Sequence, residues 1–324
     1  MKSLQEIISP LDSDLKNFKA AYAETLKSDS YLLDKIVKYV LSQRGKQIRP
    51  ALVLLSAKLC GEINPKTHEG AILVELMHTA TLIHDDVVDD ADMRRGLASI
   101  NALWKNKVAV LLGDYLLSRG LLVALDGNSF EMLKVLSRAV KQMSEGELLQ
   151  IEKTRRLNLT EEIYYKIINA KTASLISSAC EIGALSTTTD ENKRQLLREI
   201  GEGLGMAFQI RDDLFDYISD AGATGKPVGL DVKEKKLTLP IIHALSNGTP
   251  KEVRYIKELI SSHKKAKEFE IIKDFVFDKG GIDYAMKISE NYANEALEKL
   301  STFPETESRQ IFEQIIEFVI RRKN

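Results

Sequence analysis

Apolar residues recur at intervals of three and four through most of the 324-residue chain, with polar residues between them. This spacing places the apolar side chains on one face of an α-helix. Only 7 Pro and 18 Gly interrupt these stretches. The pattern therefore predicts an all-α protein, with helices over residues 12–27, 30–42, 49–60, 65–90, 105–125, 129–153, 160–186, 190–219, 238–247, 251–277, 281–301 and 305–322.

Interruptions between the predicted helices are short. The clearest loops are 126–129, 221–236 and the Gly280-Gly281 pair. No strand-like alternation bounded by hairpin turns occurs, and no stretch rich in Pro, Gly or Ser is long enough to link two domains. We therefore expect a single all-α domain over residues 1–324.

Composition narrows the class of protein. Hydrophobic residues make up 44% of the chain and charged residues 29%, which is typical of globular proteins. With 46 Lys+Arg against 47 Asp+Glu there is no global basic field, so we expect no nucleic-acid partner. The two cysteines, Cys60 and Cys180, give no disulfide framework and fit a reducing cytoplasm. Since the N-terminus is charged throughout and no window approaches 18 uncharged apolar residues, we expect neither a signal peptide nor a membrane-spanning helix.

Carboxylates cluster at the end of the predicted helix 65–90. Asp85 and Asp89 are one turn apart and share a face, with Asp86 beside them. A helix C-terminus disfavours anions, so a bound cation is expected there, although a solvated acidic helix end is the alternative. The spacing recurs at Asp212 and Asp216, with Asp213 between them, and one chance acidic run does not explain two copies. Carboxylate pairs without His or Cys suit Mg²⁺, so two such clusters indicate a diphosphate held through several Mg²⁺ ions.

Basic residues occur in clusters that suit phosphate recognition, although each alone would also fit a solvated face. They are Arg44, Lys46 and Arg49, then Arg94 and Arg95, then Lys171, then Lys226, Lys233, Lys235 and Lys236. His78 lies seven residues before Asp85, on the same helix face, and could donate to a diphosphate. A Walker-type loop and a GxSxG motif are both missing, so the sequence favours neither nucleotide hydrolysis nor a serine nucleophile.

These motifs together resemble the trans-isoprenyl diphosphate synthase family, of the long-chain polyprenyl type. RGKQIRP (44–50) resembles the family's GGKRxRP motif, and KTASL (171–175) resembles its Lys-Thr motif. The family's first aspartate-rich motif is resembled by HTATLIHDDVVDDADMRRG (78–96), and its second aspartate-rich motif by GMAFQIRDDLFDY (205–217). GKPVGLDVKEKKLTLP (225–240) resembles the loop that follows. Two positions depart from the family pattern: Gln47 stands where a basic residue is usual, and Lys235 where Gly is common.

The resemblance implies antiparallel helices around a deep central cavity, a homodimer, and a set of site residues. Asp85, Asp89 and Asp212 would ligate Mg²⁺, supported directly or through water by Asp86, Asp213 and Asp216. Arg94, Lys171, Lys226 and Lys236 would hold an allylic diphosphate, and Lys46, Arg49, His78 and Arg95 isopentenyl diphosphate. Thr172 and Gln209 would stabilise the carbocation that forms when the allylic diphosphate ionises, and the loop 221–236 would close over it.

Product length is addressed by the wall beneath the first aspartates. Helical rise places Ala80 and Thr81 below Asp85, with Met77 and Val74 deeper. The family's short-chain members commonly have bulky aromatics at the first depth, so these residues predict an all-trans product of roughly thirty to fifty carbons, as in a quinone side chain, with a transient membrane contact during release. The alternative for these four residues is ordinary helix packing.

Other functions remain open at this point. A terpene cyclase ionises the same substrate class, but usually replaces the second DDxxD with an Asn/Ser/Glu motif. A non-catalytic partner subunit would be expected to have lost aspartates, and a metal-stabilised scaffold leaves the basic clusters unexplained. A short-chain synthase of the geranylgeranyl type differs only in product length.

Overall fold

The computed structural model describes residues 2–42, 45, 47–94, 96–154, 157–218, 229–262 and 266–322, except the side chains of 266 and 267. Its helices are α1 (Leu4–Ile8), α2 (Asp12–Thr25), α3 (Tyr31–Ser42), α4 (Ile48–Cys60), α5 (Pro65–Val88), α6 (Ile100–Asp126), α7 (Phe130–Thr154), α8 (Glu161–Ile168), α9 (Ser174–Leu185), α10 (Glu191–Ile218), α11 (Leu230–Lys233), α12 (Leu239–Ser246), α13 (Pro250–Ser262), α14 (Ala266–Asp278), α15 (Gly281–Leu300) and α16 (Glu307–Arg321). A 3₁₀ turn (Ser9–Leu11) joins α1 to α2, and a π-helical turn (Asn169–Ala173) joins α8 to α9. The predicted all-α class is confirmed.

The chain divides into two compact units. One comprises Met1–Val140, Leu175–Gly201 and Ser301–Ile315, and the other Lys141–Ser174, Glu202–Leu300 and Ile316–Asn324. The single domain expected from the sequence stays a prediction.

In the first unit, α4 and α5 form the interior. Every residue of α4 from Pro50 to Ala57 is buried, as expected for a helix that is apolar on all sides. The start of α5 is fixed by Asn64, whose side chain accepts from the backbone N–H groups of Lys66 and Thr67, and by Pro65 in the first turn. These caps set the register of the helix that carries the first aspartates.

The second unit has its own apolar core. Buried side chains of α8, α10, α12, α14 and α15 meet in it, among them Ile168, Ile210, Leu239, Ile272 and Ala285. The core therefore supports one side of α10, the helix that carries the second aspartates.

Several local predictions differ from the structure. A two-residue hairpin, β1 (Met93–Arg94) with β2 (Leu97–Ala98), follows α5 where no strand was expected, because Gly96 takes a positive φ of 76°. Within the predicted helix 251–277 the structure describes α13 and α14, and residues 263–265 between them lie outside the described residues. The predicted helix 105–125 starts earlier, since Ser99 caps an extra turn that meets the rest at a kink at Lys105. The short α1, capped by Ser3, was not predicted.

Among the described helices, α6 is long and apolar enough to cross a membrane, so the expected absence of a spanning helix stays a prediction. An 18-residue window of α6 has a mean hydropathy of 1.8, and 33% of it is buried. Several of its apolar residues are exposed, and they are Leu103, Val110, Leu111, Leu121, Leu122 and Leu125.

Candidate active site

The first aspartates lie at the C-terminal end of α5. Asp85 is half-buried in the last turn, and exposed Asp89 caps the helix by donating its backbone N–H to the Asp85 carbonyl at 2.8 Å. The helix dipole adds negative charge at this end. Two carboxylates and the negative end of the helix dipole therefore lie together at the C-terminus of α5, where the sequence predicts a cation site.

Asp86 has a different environment from its neighbours. It is 3% exposed, and Arg94 of β1 donates to its Oδ1 from Nε at 2.8 Å and also from Nη2. Asn101 donates to the Asp86 carbonyl at 3.2 Å. Asp86 is therefore anchored to the hairpin after α5, which fits a supporting role. The assignment of Arg94 to the allylic diphosphate stays a prediction, because the structure pairs Arg94 with Asp86.

Arg49 and His78 meet within the first unit. The Nη1 atom of Arg49 lies 2.9 Å from Nε2 of buried His78. Because a guanidinium can only donate, His78 Nε2 accepts, and the neutral imidazole carries its proton on Nδ1. That Nδ1–H group is a donor of the kind that a diphosphate oxygen accepts.

A cavity of about 670 Å³ lies in the first unit between α2, α3 and α5. Its polar lining includes Gln47, His78, Asp86 and Arg94. Phe18, Tyr22, Leu82 and Ile83 are among its apolar lining residues. The cavity brings together three sequence-predicted site residues with the position that departs from the family pattern.

The second aspartates lie near the C-terminus of α10, and Asp213 is the most enclosed of them. It accepts from the Tyr164 hydroxyl and from Gln209 Nε2, both at 2.7 Å, and Thr172 Oγ1 donates to Gln209 Oε1 at 2.6 Å. Burial, with the nearby Asp231 charge, raises the pKa of Asp213 despite these bonds. Because the Thr172 hydroxyl donates its proton to Gln209, the lone pairs of its oxygen remain to act as a dipole in the cavity.

Asp216 anchors the segment that follows α10. Its Oδ1 accepts from the Leu230 N–H at 2.8 Å, and its Oδ2 from the Asp231 N–H at 3.1 Å. Burial raises the pKa of Asp216, and these backbone bonds lower it by less. The side chain therefore caps the N-terminus of α11, which makes it a support for the site.

Lys171 and Thr172 lie on the π-helical turn between α8 and α9. This turn fits closely against α7 and α10, since a Cβ on Gly146 would come within 2.6 Å of Ala170 Cβ and one on Gly205 within 2.5 Å of Ala173 Cα. Lys171 Nζ consequently reaches α7, where it pairs with Glu147 and donates to Gln150 Oε1 at 3.1 Å. Two close-approach glycines thus position the Lys-Thr motif.

A second cavity, of about 160 Å³, lies within the second unit. It brings together five of the predicted residues, and they are Lys171, Thr172, Gln209, Asp213 and Lys236. Asp231 also lines it, and burial together with the Asp216 charge raises the pKa of Asp231 to about 7. The cavity therefore combines two lysines with a carboxylate pair that is partly protonated near neutral pH.

The remaining predicted residues fall into two groups. Lys46, Arg95 and Lys226 lie outside the described residues, as do residues 221–228 of the proposed lid 221–236. Ala80, Val74 and Met77 are buried at 0%, 0% and 4% exposure, and half-buried Thr81 donates its hydroxyl to the His78 carbonyl at 3.0 Å. A Cβ on Gly120 would come within 2.9 Å of the Met77 methyl, so this wall of α5 packs against α6.

Comparison with known proteins gives the chain its relatives. The sequence profile described as polyprenyl synthetase matches residues 30–276. The chain is 35% identical to the octaprenyl diphosphate synthase of Escherichia coli over 321 residues, 99% of each protein. The chain belongs to the polyprenyl synthetase family.

Two solved structures agree with this membership in the polyprenyl synthetase family. A decaprenyl diphosphate synthase from Rhodobacter capsulatus superimposes with a TM-score of 0.93 at 32% identity, covering 99% of this chain and 100% of that one. A polyprenyl synthase from Caulobacter crescentus, in complex with calcium and isoprenyl diphosphate, superimposes with a TM-score of 0.92 at 32% identity, covering 99% and 98%. The fold is the isoprenoid synthase fold, and the chain is a chain-elongating prenyltransferase of the long-chain type.

Several residues that shape the site were not predicted from the sequence. Tyr164, Glu147 and Gln150 carry no local signal, because what matters is their contact with residues remote in the sequence. Asp231 lies in the segment that resembles the family loop, and the Asp216 contact that buries it becomes visible only in the fold.

Proposed function

We propose that this polyprenyl synthetase condenses an allylic diphosphate with successive isopentenyl diphosphates to give an all-trans polyprenyl diphosphate. The observation that carries the proposal is the second cavity, where Lys171 and Lys236 meet the Thr172, Gln209 and Asp213 chain of hydrogen bonds. Cations suit a diphosphate, and an oxygen dipole suits the allylic carbon that becomes positive when the diphosphate leaves.

The metal proposed for this reaction is Mg²⁺. Its ligands would be Asp85, Asp89 and Asp212, whose donors are all carboxylate oxygens, and the Asp212 side chain is 42% exposed. Within the described part of the chain, no three His, Cys, Asp or Glu side chains group into a complete metal site. Mg²⁺ commonly binds through one or two carboxylates and takes its other ligands from water and substrate phosphates. When bound, the ion would neutralise charge on the departing diphosphate.

The chain's own residues account for the remaining steps. Lys171 and Lys236 hold the departing diphosphate, with Lys226 and Arg94 assigned to the same group. Arg49 and His78, with Lys46 and Arg95, hold isopentenyl diphosphate, whose double bond attacks the allylic carbon. One carbon–oxygen bond breaks and one carbon–carbon bond forms, and the proton that is then lost goes to the released diphosphate. Closure of the 221–236 loop would exclude water, which would otherwise trap the carbocation as an alcohol.

A metal-depletion experiment tests this proposal. Enzyme treated with a chelator and incubated with farnesyl diphosphate and labelled isopentenyl diphosphate should form no extended product, and added Mg²⁺ should restore product. Turnover that persists in excess chelator would overturn the metal assignment.

We propose a homodimer built on α6. The exposed apolar residues of this helix, from Leu103 to Leu125, are spaced so that they form a stripe, which a second copy of the chain would cover. Leu122→Arg should therefore shift the sedimentation of the enzyme from dimer to monomer. Phe277→Arg, at an equally exposed apolar residue on α14, is the matched control and should leave the dimer intact. A monomeric wild type would contradict the proposal.

Product length and surroundings complete the proposal. Small or aliphatic residues at Ala80, Thr81, Met77 and Val74 support a product of roughly thirty to fifty carbons, a length suited to quinone side chains. Such a tail is apolar enough to pass into a membrane from an enzyme working in the cytoplasm. Lipid vesicles should then accelerate steady-state turnover if release limits the rate.

A further inference from the structure

Arg322, the residue that follows α16, lies against α10 beside the second aspartates. It is 5% exposed, and its guanidinium carbon is 4.4 Å from the ring centroid of Phe208 and 5.0 Å from that of Phe215. These phenylalanines are seven residues apart and share a face of α10. Both rings hold the guanidinium by cation–π contact.

Asp212 lies between the two phenylalanines on that face. Arg322 Nη2 is 3.5 Å from Asp212 Oδ1 and donates to the Phe208 carbonyl at 3.4 Å. Arg211 Nη2 donates to the Arg322 carbonyl at 3.1 Å, which fixes the backbone of the segment. The guanidinium is therefore held by contacts independent of Asp212, and it presents a fixed cation to that carboxylate.

Burial of this arginine is unfavourable by itself. Arg211, 8% exposed, carries a second buried guanidinium nearby, and the Nε atoms of both have no hydrogen-bond acceptor in the described part of the chain. Burial lowers the pKa of Arg322, the Arg211 charge lowers it further, and the Asp212 charge raises it. An apolar side chain would fill the space between two rings at lower cost, so packing alone does not explain a cation here.

We propose that Arg322 is a positioning residue for Asp212, an inference that rests on the proposed role of Asp212 as a metal ligand. By pairing with Oδ1, Arg322 restricts the rotation of the carboxylate and leaves Oδ2 directed to a divalent cation. Groups that orient a ligating carboxylate typically change metal affinity by about 10- to 100-fold when they are removed.

The test measures metal binding without turnover. Mn²⁺ is titrated into enzyme containing inorganic diphosphate, and free Mn²⁺ is followed by electron paramagnetic resonance. For Arg322→Gln we expect the dissociation constant for Mn²⁺ to rise about 10-fold, and for Arg322→Lys an intermediate value, since an ammonium keeps the charge but not the planar fork. The matched control is Arg321→Gln, at an exposed arginine one residue earlier whose nearest carboxylate is Glu317 at 3.6 Å, and it should bind Mn²⁺ as wild type does.

Two further measurements separate positioning from a structural role. Millimolar guanidinium chloride should restore Mn²⁺ affinity to Arg322→Ala, whereas equal sodium chloride should not. The Mg²⁺ concentration for half-maximal turnover should rise in Arg322→Gln with kcat at saturating Mg²⁺ nearly unchanged. If Arg322→Gln does not fold, Arg322→Lys and the rescue of Arg322→Ala still decide the question.

Each outcome has a distinct meaning. Unchanged Mn²⁺ affinity in a folded Arg322→Gln variant would overturn the inference, and tighter binding would make Arg322 a competitor of the metal. If wild-type enzyme with diphosphate bound no Mn²⁺ at all, the metal assignment of the proposed function would fail, and the inference with it.

Discussion

Asp216 belongs to the second DDxxD motif, yet its contacts predict that it acts on stability more than on metal binding. Both carboxylate oxygens are used by backbone N–H groups, those of Leu230 and Asp231. In Asp216→Asn the amide Oδ1 can still accept one bond, but Nδ2 then meets the other N–H donor-to-donor. One buried N–H group therefore loses its acceptor.

The size of this effect follows from the lost bond and cap. Removing a helix cap costs about 0.5–2 kcal/mol, and a hydrogen bond to a charged group contributes about 1.5–3 kcal/mol, so we expect a loss of about 1–2 kcal/mol because one bond survives. At roughly 2–4 °C per kcal/mol for a domain of this size, Tm should fall by about 2–8 °C. Looser α11 should also raise the KM for the allylic substrate, since Lys236 follows this helix.

Circular dichroism melts and steady-state kinetics on the metal-free and Mg²⁺-loaded enzyme test this prediction. Asp274→Asn, at an exposed position of α14, is the control and should melt as wild type does. A variant Asp216→Asn with unchanged Tm but abolished turnover would refute the capping role and make Asp216 a metal ligand.

Three further predictions concern the rest of the site. Asp212→Ala or Asp85→Ala should nearly abolish turnover while the circular dichroism spectrum stays helical, and near-native activity would contradict the metal assignment. His78→Ala should chiefly raise the KM for isopentenyl diphosphate and Lys226→Ala that for the allylic substrate; equal effects on both substrates would argue against two separate pockets. Asp231 has its pKa raised in the folded state to about 7, so the folded state holds a proton there that the unfolded state has lost, and stability of the metal-free enzyme should fall as pH rises from about 4 to 7. In Asp231→Asn, the free energy of unfolding measured in urea should decline less with pH, and an unchanged pH dependence would contradict this prediction.

Periodicity identified the fold because this chain builds its core from helices with apolar faces. It could not locate the π-helical turn at Lys171, since one extra residue in a helical turn leaves the apolar pattern nearly unchanged. The hairpin after α5 was missed because strands of two residues have no alternation to detect.

The two departures from the family pattern share a backbone conformation, which bears on the missing glycine at Lys235 and does not explain the missing basic residue at Gln47. Gln47 has a φ of 51° and Lys235 a φ of 60°, so both take the left-handed conformation that suits Gly. Lys235 keeps this conformation although it is not glycine, which costs roughly 1–2 kcal/mol. The hydrogen bond from the Lys235 N–H to the Val232 carbonyl helps to stabilise the conformation. Sequence alone shows the substitution but not the torsion angle.

The sequence could nominate site residues where the chemistry lay within a motif, but it could not show contacts between residues that are distant in the sequence. Among the aspartates and lysines at family positions, Lys171 and Asp213 line one cavity, and their roles there stay a prediction. The different roles of Asp213 and Asp216 depend on Tyr164 and on the backbone of α11, which no spacing reveals.

The residues of α5 that lie below Asp85 give one more expectation. Ala80→Tyr should shorten the product by filling space below Asp85, or cost about 1–3 kcal/mol of stability if the space is already full. Chromatography of the dephosphorylated products beside a thermal melt distinguishes the two results. A normal melt with an unchanged product length would refute the interpretation that the space below Asp85 takes the growing chain.

The most direct test of the central claim is the length of the product made by the unmodified enzyme. Purified protein is incubated with farnesyl diphosphate, labelled isopentenyl diphosphate and Mg²⁺, and the extracted products are sized against all-trans standards. We expect a main product of roughly 35 to 45 carbons, because no aromatic side chain closes the wall at Ala80 and Thr81. A main product of roughly 20 carbons, which is a single addition to farnesyl diphosphate, or no extended product, would contradict long-chain elongation by this chain.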